Sequence, residues 1–282
     1  IFKWAVMPNT EIRGLILTNT KRVSGKTLAQ QNYRKIKKMN KNKMIGIIDG
    51  DVLLYRACHK SLKDNLDVKK TFDEIYKSVQ DETQCDEYSL HISARGNFRR
   101  EIEQNITVYK GKRKEKPENF KECKDHVLEN YKVISKEGFE ADDTASVEAT
   151  AYLNKGQLYM LITVDKDWQI IGGLFYNMMH KYVKAISRFD ACEFLNTQLL
   201  TGDTVDNIPG LKGVGIVKAT KLLKGKTLIK QFESVIRMYK QFHPDDYDTR
   251  LEVMGKMLYL VKDYKDHSNW TIDYWKGFIQ NV

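Results

Sequence analysis

The chain has 282 residues, 41% of them hydrophobic and 30% charged, with 47 Lys and Arg against 37 Asp and Glu. That is enough apolar material for a substantial core, in one large domain or two small ones. No apolar run approaches the ~18 residues a membrane span needs, and the first residues lack a charged segment leading into an apolar stretch and cleavage site. The reading is a cytoplasmic globular protein with no membrane partner.

The formal net charge of +10 is concentrated at the start: residues 1–43 hold eleven Lys and Arg and a single acid, Glu11. A basic, flexible arm on a neutral body suits a polyanion such as nucleic acid, and equally a solvated tail. Ile1 opens the chain, and Met39 and Met44 precede the first convincing strand, so the arm reads in part as fragment or leader sequence. From Met44, "MIGIIDGD" is a short apolar run ending at Asp49, the pattern of a buried parallel strand. Similar runs follow in "YSLHIS" (88–93) and "YMLITVDKD" (159–167), with helix-like segments between. Cys58, Cys85, Cys123 and Cys192 lie far apart with no C-x-x-C pair, which suits reduced thiols.

Alternating strands and helices predict a mostly parallel α/β sheet. Ligands in such sheets collect beyond the carboxyl ends of the strands. After about residue 200 no strand is expected, and two amphipathic helices follow. One carries Leu228, Phe232, Val235, Ile236 and Tyr239, the other Tyr247, Leu251, Met254, Leu258 and Val261, with "HPDDYD" as the turn between them. No internal repeat is present.

Eight acids recur at element ends: Asp49, Glu140, Asp142, Asp143, Asp165, Asp167, Asp203 and Asp206. In "GFEADD" they open a helix whose Ala141, Ala145 and Ala149 make a small-residue face, and the positive helix end favours the ionised acids. "VDKD" is expected to be extended, putting Asp165 and Asp167 on one side. Acids gathered this densely repel unless cations neutralise them. Oxygen-only ligands favour Mg²⁺ or Mn²⁺, and two such ions about 4 Å apart suit phosphodiester hydrolysis. Any one of these acids taken alone is better explained as a cap or surface charge; it is the set that points to metal ions.

Together, "IIDGD", "YKGKR" (109–113), "GFEADD", "TVDKDW" and "TGDTVDNIPGLKGVGIVKATKLL" resemble the 5′-nuclease superfamily of flap endonucleases and bacteriophage or polymerase-associated 5′-3′ exonucleases, over roughly Met44 to Met257. The resemblance implies a Rossmann-like sheet with helices on both faces over 44–200, a helical arch at about 107–136, and a helix-three-turn-helix DNA-binding region over 201–282. It further implies two or three Mg²⁺ or Mn²⁺ ions held by the eight acids, with Asp203 and Asp206 pointing back to them, and a K⁺ ion at the glycine hairpin of Gly210, Gly213 and Gly215. Lys110 and Arg113 match phosphate-contacting positions that stabilise developing charge. Lys218 and Lys221 would grip the strand bound at the hairpin, and Tyr109 suits base stacking or packing equally. The implied substrate is DNA with 5′ ends, flaps or nicks, cleaved by a monomer that a DNA polymerase recruits, in a bacterial or phage-infected cell during replication or repair.

One departure stands out. Ala94 in "HISARGNFRR" occupies the place where the family pattern puts an acid before Phe98 and Arg99; water or Asp51 would have to fill it. Two other readings compete. "IIDGDV" fits the D-x-D-x-[TV] nucleophile motif of haloacid-dehalogenase-type phosphatases, and loss of the acid at 94 would suit a non-catalytic DNA-binding homologue. "GLKGVG" is a poor dinucleotide fingerprint.

Overall fold

The structure, a computed structural model, describes residues 22–23, 26–27, 43–102, 106–110, 115–266 and 269–282. Of the expected basic arm it describes β1 (Arg22–Val23) and β2 (Lys26–Thr27), which pair antiparallel, and Lys43; the rest lies outside the described residues. The chain forms two compact units, residues 1–94 with 115–186 and residues 95–114 with 187–282.

The first unit is built on β3 (Met44–Asp49), β4 (Glu87–His91), β5 (Val133–Ile134), β6 (Leu158–Thr163), β7 (Gly173–Asn177) and β8 (Tyr182–Ile186). Their order is β5-β4-β3-β6-β7-β8, parallel throughout except for the antiparallel edge strand β8. All six residues of β3 are buried, as a central parallel strand requires. Gly46 lets Tyr88 cross it: a Cβ there would lie 2.5 Å from a Tyr88 ring carbon. Helices α1 (Gly50–Asp64), α2 (Val68–Thr83) and α3 (Phe120–Asn130) pack on one another and share a core with Met44, Ile48, Met160 and Ile162. Side-chain alternation leaves the fully buried Ile47 and Leu161 for the opposite face. There α4 (Ala141–Asn154) packs on β3, β4 and β6, and the buried Ala141, Ala145 and Ala149 permit its close approach. The mostly parallel α/β sheet read from the sequence is therefore present. The second half of the segment expected as an arch contains α3, which packs on α1 and α2.

The second unit contains α5 (Arg188–Thr201), β9 (Gly202–Asp203), β10 (Ile208–Pro209), α6 (Ile216–Leu223), α7 (Leu228–Phe242), α8 (Tyr247–Leu258) and α9 (Ile272–Gln280). Helix α5 precedes residue 200 yet packs on α6, α7 and α8, because it is buried on several sides and belongs with the helical region. Two expectations need correction. Strands do not cease at 200: β9 and β10 pair antiparallel around Asp203 and Asp206. Val261 is buried but lies beyond the end of α8. The guanidinium of Arg99, also buried, donates to the carbonyls of Met257 (2.9 Å) and Tyr259 (2.8 Å), tying the 95–110 segment to the end of α8.

Two glycines of this unit give opposite expectations. A Cβ on Gly255 would lie 2.1 Å from the ring of buried Trp270, whereas one on Gly277 meets nothing within 4 Å. Gly255→Ala should cost about 1–3 kcal/mol by overpacking, and Gly277→Ala, in a helix interior, should gain about 0.5–1 kcal/mol. Urea unfolding of both variants checks this; a Gly255→Ala protein as stable as the parent rules out the close helix–indole contact.

Candidate metal centre and nucleic-acid interface

In the first unit the acids sit where parallel strands end. Asp49 closes β3 and is 3% exposed; its Oδ1 accepts from the Val52 N–H (3.1 Å) and its Oδ2 from the Thr163 hydroxyl (2.6 Å). Burial pushes its carboxyl up to about 7, and the like charges of Asp51 and Asp165 add to the shift, against the two hydrogen bonds. Thr163 ends β6 and also accepts from the Asp165 N–H (2.9 Å), so a single hydroxyl couples the two strand ends. Asp165 in turn accepts from the Asp167 N–H (2.8 Å) and caps a 3-10 turn over Lys166–Ile170. The "VDKD" stretch is thus not extended as expected: the hydrogen bond back to Asp165 curls it at once.

The N-terminus of α4 supplies three more acids. Glu140 and Asp143 are buried, and Asp143 accepts from the Glu140 N–H (3.3 Å). Half-buried Asp142 accepts from the indole N–H of Trp168 (2.7 Å), which joins this helix end to the turn after Asp165. Asp51, in the first turn of α1, accepts from the Ser93 N–H at the end of β4. The sequence offers Asp51 only as a substitute for a missing acid, and nothing in the local spacing announces its bond to Ser93.

In the second unit Asp203, 3% exposed, accepts from the Val205 N–H (2.8 Å). Asp206 accepts from the Tyr109 hydroxyl (3.1 Å), lies 3.4 Å from the Lys110 ammonium, and takes the Lys110 N–H on its carbonyl (2.9 Å). The Asn207 side chain donates to the Val108 carbonyl (2.9 Å) and the Thr107 hydroxyl donates to the Asn207 carbonyl, so residues 107–110 are laced to the β9–β10 turn. Tyr109 is 6% exposed, which gives its ring a packing role here, with no face open for stacking on a base. Lys110 is 7% exposed. Arg113 lies outside the described residues.

The three hairpin glycines are not equivalent. A Cβ on Gly210 would lie 2.2 Å from the Thr201 carbonyl, so the fold itself demands glycine there. Gly213, at φ 71°, and Gly215, which caps α6, have no neighbouring atom within 4 Å of a Cβ and leave the backbone open to a ligand. Lys218 and Lys221 are exposed on α6. So are Ile216 and Val217, at 63% and 81%, an apolar pair that a search for charge passes over.

Among the described residues no three His, Cys, Asp or Glu side chains already form an ion-holding group. The donor chemistry nonetheless fits hard divalent cations. All eight expected positions are carboxylates, and Asp49 is held toward its neutral form by burial and by two further carboxylates, a penalty that a bound cation removes.

The family described as 5′-3′ exonuclease, N-terminal resolvase-like domain, matches residues 44–195, from the central strand into α5. DNA polymerase I of Caldicellulosiruptor bescii is 29% identical over 209 residues, 63% of this chain, which spans about a quarter (24%) of that relative's length. The 5′-3′ exonuclease of Buchnera aphidicola subsp. Schizaphis graminum is 30% identical over 217 residues, covering 67% of this chain and 73% of the relative. Among solved structures, the zinc-bound T5 5′-exonuclease has a TM-score of 0.58 at 18% identity over 85% of this chain and 99% of its own. The bacteriophage T5 flap endonuclease complexed with DNA and metal ions reaches 0.59 at 18%, over 84% and 98%. The folds coincide over nearly all of the phage enzymes. With a family match across the whole acidic sheet and a relative of 30% identity covered over 73% of its length, the chain belongs to the 5′-3′ exonuclease family.

Proposed function

We propose that the chain is a structure-specific 5′-nuclease that hydrolyses DNA phosphodiesters from a 5′ end or at a flap, with Mg²⁺ or Mn²⁺ as cofactor. The observation that carries this reading is the gathering of Asp49, Asp51 and Asp165 at the ends of adjacent β3 and β6, where their charges reinforce one another. Within the first unit, Asp49, Glu140, Asp142, Asp143, Asp165 and Asp167 are the carboxylates that would hold divalent ions, two or three being expected in all; within the second, Asp203 and Asp206 are carboxylates of the same ligand type. When bound, such ions would supply an activated water and stabilise the leaving oxygen. Asp49, buried and hydrogen-bonded at both oxygens, is poorly placed as the open nucleophile of a phosphatase, and the family match leaves that alternative without support.

Lys110, with Arg113, stabilises negative charge developing on the scissile phosphate once released from Asp206. Gly213 and Gly215 let backbone N–H groups approach a duplex phosphate, with a K⁺ ion at the hairpin, while Lys218 and Lys221 neutralise neighbouring phosphates. Gly210 supports the hairpin and Tyr109 holds Asp206 until substrate enters. The solved T5 relatives with zinc and with DNA and metal ions support the cofactor and substrate class. The polymerase relatives support recruitment by a DNA polymerase. The chain acts as a cytoplasmic monomer in this reading; no helix among the described residues is long and apolar enough to cross a membrane.

Asp165→Asn and Asp203→Asn should each abolish cleavage of a 5′-flap substrate in Mg²⁺ while duplex binding, read by fluorescence anisotropy, is retained. Full activity in both variants sinks the reading. Lys110→Ala should lower the single-turnover rate by ~10²–10³-fold. Replacing Lys218 and Lys221 together by Ala should reduce the log–log salt slope of binding by about 0.9 for every phosphate the two lysines neutralise, and an unchanged slope places both lysines off the DNA.

A further expectation concerns the metal-free protein. A carboxyl whose folded value stands at about 7, above its ordinary 3.8, binds more protons folded than unfolded, so its contribution to stability is full below about pH 4 and is lost as pH rises to about 7. Melting temperatures in EDTA should fall across that window in the parent and more shallowly in Asp49→Asn. Parallel curves would place the shift elsewhere.

A further inference from the structure

The strands β4, β3 and β6 are neighbours and parallel, so their carboxyl ends share one edge of the sheet. Acids come from two of the three: Asp49 ends β3 and Asp165 follows β6. Past β4 the chain reads Ile92, Ser93, Ala94, with no carboxylate. We infer that Asp51 supplies the carboxylate that the end of β4 lacks and is a divalent-cation ligand of the acidic set. The inference rests on the metal-dependent reading proposed above.

Both oxygens of Asp51 lie 3.3 Å from the Ser93 amide nitrogen, which places the carboxylate directly over the end of β4. The bond is long and shared. One amide proton spread over two oxygens is a weak hold compared with the usual 2.9–3.0 Å bond, and a carboxylate has about four acceptor positions. Most of the acceptor capacity of Asp51 is therefore not taken up by that amide. Ser93 is also the junction with α4, because its hydroxyl accepts from the Ala141 N–H (3.1 Å) at the helix end that carries Asp142 and Asp143. Lys124 reaches the same place and donates to the Ser93 carbonyl (3.1 Å).

Gly50 shows that this placement is built into the fold. A Cβ on it would lie 2.7 Å from the His91 carbonyl oxygen and 2.7 Å from Ile92 Cγ1. Only glycine lets the first turn of α1 press on the end of β4 closely enough for the next residue, Asp51, to reach Ser93. An acid in a helix first turn is also favoured by the helix dipole, and the two roles separate in their metal dependence.

The test is calorimetric titration of Mn²⁺ into the full chain, comparing the parent with Asp51→Asn, with Asp165→Asn, and with Asp51→Asn combined with Ala94→Asp. Asp51→Asn keeps the shape and one acceptor but removes the charge. It should weaken one Mn²⁺ site by about tenfold or more, since oxygen-site affinity rises with ligand charge, and the metal-free protein should melt no lower, because a like charge beside Asp49 has gone. Ala94→Asp on that background should restore part of the affinity by returning a carboxylate to the same strand end. Parent-like binding in Asp51→Asn alongside weakened binding in Asp165→Asn overturns the role of Asp51 and leaves the metal-dependent reading intact. Parent-like binding in both variants overturns the two together. A lower melting temperature with unchanged Mn²⁺ affinity assigns Asp51 to the helix dipole alone. Should Asp51→Asn fail to fold, Asp51→Ser is held to the same criteria.

Discussion

The edge of the first unit's sheet is organised around one buried carboxylate that the fold surrounds with others. Taking Asp49 to 3% exposure disfavours its charge, and only the Val52 amide, the Thr163 hydroxyl and the start of α1 work the other way. Burial prevails, because the carboxyl is raised to about 7. The surrounding devices are arranged so that this unfavourable charge density survives: Thr163 couples the ends of β3 and β6, Trp168 holds Asp142, and Ser93 joins α1 and α4 to β4. Each uses a neutral donor on a carboxylate or a backbone group, which fixes geometry without cancelling charge. In the proposed reading, a bound dication would supply the opposite charge that neutral donors cannot.

How much of this is legible in the sequence depends on whether a single element carries its own signal. "MIGIID" reads as a buried parallel strand because all its residues are apolar up to the terminal acid, and the Ala141, Ala145, Ala149 face of α4 follows from helical spacing. The core stripes of α7 and α8 are equally plain, apart from Val261. Strand β7 and the edge strand β8 give no such signal: each is only five residues long, and β8 mixes buried with half-buried positions. Helix α5 escapes a reading of the helical unit because apolar residues surround it on several sides, leaving no stripe to follow.

At the site, residue type is legible and partnership is not. Eight carboxylates at element ends can be picked out, but the curl at Asp165, the packing of Tyr109 and the structural demand on Gly210 all depend on atoms distant in sequence or on a hydrogen bond that overrides alternation. Gly213 and Gly215 show the converse. At both a Cβ would meet no neighbouring atom; Gly213 is still required by its own left-handed backbone at φ 71°, so only at Gly215 does glycine answer to neither a neighbour nor a positive φ.

The two acidic sets also differ in how their charge is balanced. In the first unit Asp49 is pressed by like charges, so an arriving cation meets a negative field that burial has sharpened. In the second unit Asp206 already has the Lys110 ammonium 3.4 Å away and the Tyr109 hydroxyl on the same oxygen. A metal ion there must compete with a resident cation, and a phosphate drawing Lys110 away would leave Asp206 more negative and better able to hold one. If Lys110 binds phosphate as proposed, the lysine would link phosphate binding to the charge on Asp206, both residues being held together by the backbone bond between Lys110 and Asp206.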